Sequence, residues 1–119
     1  MKNSYVLASE FIVENQSMLA TAVTNHIYHL DSPNSNQNLP PYYAISLRDV
    51  NYHLTYLAEA VFFSDNILFG SYLDWLQVLF ANLGLAESTL SDTLDAMKFV
   101  FKREMPPILY QTVQPYLVL

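Results

Sequence analysis

Cysteine is absent from the 119 residues. That excludes disulfides, thiolate metal ligands, thiol nucleophiles and a thioether-linked chromophore, and a reducing cytoplasm is the compartment such a chain fits. Glycine is almost as scarce, Gly70 and Gly84 being the two that occur. Two glycines cannot build a phosphate-cradling loop, a Walker sequence or a nucleophile elbow, so the chain is expected not to be an enzyme. Cations are few: five Lys and Arg stand against eleven Asp and Glu, for a net charge of −6. With no basic patch to neutralise phosphates, nucleic acid is not an expected partner, and the same acidity disfavours an anionic membrane surface. Long apolar runs are missing too. None approaches the ~18 residues that would span a bilayer. Lys2 is followed too soon by Ser9, Glu10 and Glu14 for a signal peptide.

What the chain does have is apolar surface. Hydrophobic residues make up 52% of it and charged ones 13%. A small domain has a high surface-to-volume ratio and needs polar cover. This composition therefore points to surface shared with a partner, most simply a second copy, or to an internal cavity filled by an apolar ligand. The length suits one domain spanning residues 1–119.

Helical periodicity dominates and strand alternation is absent, so the fold class is all-α, a bundle of four to five helices. The first helical stretch is expected over Ser4–Leu30, with Tyr5, Ala8, Ile12, Leu19, Ala22, Val23 and Leu30 on one side. Asn15-Gln16-Ser17 mark a possible break, because such side chains compete for backbone hydrogen bonds. Asp31–Pro41 is turn-forming and closes on two prolines, so it reads as a loop within the domain. A second helix is expected over Tyr43–Phe63, with Leu47, Val50, Leu54, Leu57 and Val61 as its buried stripe. A third covers Ile67–Leu83, capped by Asp65 or Asn66 and ended by Gly84 in the left-handed conformation. Its apolar face is wide: Phe69, Tyr72, Leu73, Leu76, Leu79, Phe80 and Leu83. A fourth begins near Glu87 or Ser88, carries the stripe Leu90, Leu94, Met97 and Phe101, and is stopped by Pro106-Pro107. Ile108–Leu119 is a short helix or an extended tail whose apolar end must be buried.

Among polar residues on apolar faces, His53 stands out. Asp49 lies one turn before it and Tyr56 one turn after, so Asp49 is expected to accept from the imidazole and raise its pKa. The second ring nitrogen would then face inward, suited to a ligand carbonyl, a pyrrole or a haem iron. The plainer alternative is a partly buried histidine bonded to Asp49 and doing nothing more. Tyr72 and Trp75, three apart, would form either a flat wall for a conjugated ligand or ordinary core. His26 and His29 have a spacing zinc could use, but no third ligand stands nearby, so no metal site is expected. Tyr42, Tyr43, Tyr52 and Tyr56 concentrate aromatics around the second helix. Phe99 falls opposite the stripe of the fourth and suits a protein contact. Asp92 and Asp95 look like solvated surface.

The stretch Ser46–Pro107 carries Asp49, Tyr52-His53-Leu54, Tyr56-Leu57-Ala58-Glu59-Ala60, Leu68-Phe69, Tyr72 and Trp75, then Gly84 and Glu104-Met105-Pro106-Pro107. It resembles the helical domain that accompanies cobalamin-binding domains in bacterial sensory proteins, including the photocobilins, which pair cobalamin with a bilin. The resemblance covers about half the chain. It implies a globin- or phycobiliprotein-like helical sensor that holds a linear tetrapyrrole (bilin) non-covalently. His53, Tyr52, Tyr56, Tyr72 and Trp75 would line the pocket, and Asp49 would orient His53. The cobalamin domain and its Asp-x-His-x-x-Gly motif are not in this sequence, so cobalamin is not expected to bind this chain alone. The expected function is thus a non-enzymatic, tetrapyrrole-binding sensor that signals by association with itself or a separate partner. Its rivals are a ligand-free homodimeric interaction module and a haem-binding globin-like protein.

Overall fold

The computed structural model describes residues 1–30 and 38–119. The expected loop Asp31–Pro41 therefore falls mostly outside the described residues. Its end is a turn closed by the Tyr43 amide on the Pro40 carbonyl. Asn3 starts the first helix, α1 (Ser4–Glu14), by accepting from the Val6 amide at 2.9 Å. The second, α2 (Gln16–Ile27), continues it after one residue. Hydrogen bonds four residues back persist on both sides of the junction, from the Asn15 amide to Phe11 and from the Leu19 amide to Asn15. The two helices are one rod bent at Asn15, whose backbone opens to φ −113°, ψ 17°. The Asn15 side-chain amide also donates to the Phe11 carbonyl, at 2.9 Å. That is the backbone competition expected of asparagine inside a helix.

The longest helix, α3 (Tyr43–Phe62), lies along both halves of this rod. Its stripe Val50, Leu54, Leu57 and Val61 is buried as the spacing predicts. Ser9 on α1 ties the pair together by donating to the Ala58 carbonyl at 2.8 Å inside the core. A tight turn through Ser64, at φ 54°, leads into α4 (Asn66–Asn82), where Asp65 caps the start by accepting from the Leu68 amide at 3.0 Å. Gly84 follows at φ 74°, the left-handed position expected of it. On α4 only part of the wide face is buried: Phe69, Leu73 and Leu76 are inside, and Leu83 is exposed.

The next helix, α5 (Thr89–Glu104), buries Leu90, Leu94, Met97 and Phe101 and packs on α2. Pro107 opens α6 (Pro107–Val113) at a position where a missing N–H costs nothing. A 3-10 turn, Gln114–Tyr116, then brings Leu117 into the core with no exposed surface. The tail is thus a short helix packed on α1, and its apolar end is buried. The molecule spans 46 × 34 × 17 Å, about two helices thick. The described residues form an all-α bundle of six helices and contain no strand. The count exceeds four to five because of the bend at Asn15 and the separate α6. None of these helices is long and apolar enough to cross a membrane.

Candidate functional site

The residues singled out around His53 converge where α3 and α4 run side by side. His53 is 5% exposed, and its Nδ1 lies 2.6 Å from the Tyr72 hydroxyl of α4. Tyr72 sits at the centre of a ring cluster. It stacks on Tyr56 at 4.2 Å between centroids and 15° between planes. Phe69 tilts against it at 5.7 Å and Trp75 at 6.2 Å, and the His53 ring meets it edge-on at 5.7 Å. Helical spacing explains the meeting: His53 and Tyr56 lie on the flank of α3 that faces α4, and Tyr72 lies on the matching flank of α4.

Two expectations about His53 need correction. Asp49 does not accept from its ring; the Asp49 carboxylate is bridged by Arg48, with Nη2 at 3.1 Å. Nor is the imidazole made more basic. Burial lowers its pKa to about 4, and the Asp49 charge opposes this only in part. His53 is therefore neutral near pH 7, with Tyr72 as its partner. Burial likewise raises the Tyr72 phenol, reinforced by Tyr56 and Asp49, so the hydroxyl stays protonated. Among the described residues no buried side-chain nitrogen or oxygen lacks a hydrogen-bond partner. The ring's assigned bond is at Nδ1, to the Tyr72 hydroxyl. When Tyr72 donates to Nδ1, the neutral ring carries its proton on Nε2.

The structure brings His53, Tyr56, Tyr72 and Trp75 together. Tyr52 lies one turn before Tyr56 on the same flank without joining the ring cluster, and Asp49 borders it. The wall is half open: Tyr52, Tyr56 and Trp75 each leave about half of their surface uncovered. Two grooves occur elsewhere. One of about 700 Å³ runs between the α1–α2 bend and the end of α5, past Glu14, Thr21, Asn25, His26 and Arg103. The other, of about 340 Å³, lies between α4 and the start of α5, beside Phe80, Leu85, Leu90 and Leu119. Neither includes a residue of the His53 cluster, whose outer rings form a half-open platform.

The remaining candidates are dispersed. His26 stacks on Phe99 of α5 at 4.2 Å, with the Arg103 guanidinium 5.6 Å from the same ring. His29 lies past the end of α2 at φ 56°. The described residues hold no cluster of three potential metal ligands. Phe99 is half exposed, as expected, yet it is partnered from two sides. Asp92 and Asp95 are exposed. Sequence reasoning placed Phe69 only in the core and did not pair Tyr72 with His53. The two are 19 positions apart on different helices, so no spacing rule could join them. No family model, curated protein or solved structure matches the chain.

Proposed function

We propose that this is a non-enzymatic binding domain whose α3–α4 platform receives a flat, conjugated ligand, with a linear tetrapyrrole as the occupant implied by the sequence resemblance. The observation that supports it most is the meeting of the His53 imidazole, held at Nδ1 by Tyr72, with a stack of aromatic rings. Tyr56, Tyr72 and Trp75 offer extended π faces to a planar molecule. The His53 Nε2 offers a single directional donor to a lactam carbonyl or propionate. Tyr72 fixes the ring orientation by holding Nδ1, so it acts as a positioning residue for that donor. A neutral histidine suits this role, because a charged one would demand a counter-ion inside an apolar wall. Nothing in the arrangement calls for covalent attachment, in keeping with a chain that has no cysteine.

The test is a spectroscopic titration of the purified chain with biliverdin, phycocyanobilin and haemin. A saturable, red-shifted and sharpened bilin band is expected, weakened about tenfold or more in His53→Ala, as loss of one well-placed hydrogen bond would give. Unchanged spectra with both bilins would remove this reading. A sharp Soret band with haemin alone would replace it with haem ligation.

A further inference from the structure

The α3–α4 face extends well beyond the His53 cluster. Besides its core stripe, α3 carries a second apolar line, Ile45, Tyr52 and Tyr56, continued by Phe63 just past the helix end, at spacings of seven, four and seven. On α4, Leu68 and Trp75 repeat at seven and occupy the flank turned to that line. These six side chains are between 43% and 63% exposed, and Tyr72 joins the two rows through its contacts with Tyr56 and Trp75. Charge is sparse. Arg48 is the sole cation on the two helices, and it is already paired with Asp49.

We infer that this face is the contact between two copies of the chain, the α3–α4 pair of one lying on that of the other as a four-helix layer. Area supports a second copy as the occupant. An aromatic side chain presents about 150–250 Å² when fully exposed, so the four half-exposed aromatics offer roughly 350–550 Å² per protomer, to which Ile45 and Leu68 add. A stable interface needs about 800 Å² from each partner, and flanking contacts readily supply the rest. Composition agrees: Tyr, Trp and Phe dominate the face, as in interface centres, with the carboxylates Asp49 and Glu59 interspersed along the α3 line. A two-fold interface requires one patch to complement itself. Two rows of apolar side chains on adjacent helices do so by interdigitation, without needing opposite charges on the partner. The second copy also supplies the wall that the open platform lacks. In that respect the inference builds on the proposed function, but the association belongs to the ligand-free chain.

Trp75 is the one tryptophan in the sequence and lies within this face, so it reports on the contact directly. The experiment is a dilution series of the ligand-free chain, followed by sedimentation velocity and by tryptophan emission. A dimer that dissociates in or below the micromolar range is expected, with Trp75 emission shifting to the red over the same range. Ile45→Lys combined with Phe63→Lys, both exposed and outside the ring cluster, should weaken association by at least about tenfold with helical circular dichroism unchanged. A chain monomeric throughout overturns the inference. So does a dimer whose dissociation leaves Trp75 emission and the double variant unaffected, because that dimer uses another face. Bilin titrations that fail while the dimer persists would strike only the ligand reading.

Discussion

His53 enters the fold as a neutral imidazole, and this has a sign that can be measured. Its folded pKa of about 4 lies below the ordinary 6.5, so between those values the unfolded chain takes up a proton that the folded chain refuses. The stabilisation is fully present above the unfolded value and is lost as pH falls towards the folded one. The gap corresponds to about 3 kcal/mol. Urea unfolding at pH 7, 5.5 and 4.5 should show this loss in the wild type and a shallower slope in His53→Gln. Equal slopes would mean that His53 is as easily protonated in the folded protein as outside it. Tyr72→Phe leaves Nδ1 of a buried ring without its partner and should cost about 1–3 kcal/mol at pH 7, by the same unfolding measurement. The pair also marks where sequence reasoning stops. That His53 lies beside the apolar stripe of α3 was readable from helical spacing. Its partner was not, because Asp49 satisfied the local spacing rule while Arg48 held that carboxylate instead.

At the scale of elements, the ends of helices were legible because their chemistry is local. Asp65 as the cap of α4, Gly84 in the left-handed position and Pro107 opening α6 each follow from one residue and its neighbours. Replacing Asp65 by Ala should cost about 1 kcal/mol in urea unfolding through loss of the cap. Gly84→Ala should cost a similar 1–2 kcal/mol, roughly. An added Cβ there meets no atom within 4 Å, so any penalty belongs to the backbone and not to a clash. Less legible was how much of an apolar face an element actually buries. The third helical stretch reads as a broad core face, yet Leu83 is exposed and Trp75 sits on an open flank. Burial is decided by how many neighbours an element has. α4 borders α3 along one side and meets only the edges of α5 and the 3-10 turn.

The whole molecule is closed by its last residues. Leu117 has no exposed surface, and Tyr116 is buried beside it, while α6 packs on α1. The C-terminal segment therefore joins the first helix to the core. Leu117→Ala should destabilise the entire bundle by about 2–5 kcal/mol, visible as one cooperative shift of the thermal and urea transitions. A local change confined to the tail, with the remaining helices melting as before, would show the segment to be an appendage. The all-helical class and the burial of this tail were readable from composition and periodicity. The open platform was readable only as an excess of apolar residues, since no sequence pattern says which stripe is left without a cover.

The two apolar lines of α3 bear on how the chain finds its fold. A helix that is apolar on two sides could settle against α1 and α2 after a roll about its own axis, with the wrong line inward. Tyrosine at 52 and 56, where the core line carries Leu54 and Leu57, separates the two outcomes. Rolled inward, those two hydroxyls would enter the core with no partners awaiting them. Together with the Asp49 and Glu59 carboxylates on the same side, the hydroxyls give the outer line too much polarity to be mistaken for the core. Tyr52→Phe with Tyr56→Phe would remove the hydroxyl share of that polarity while leaving every ring in place.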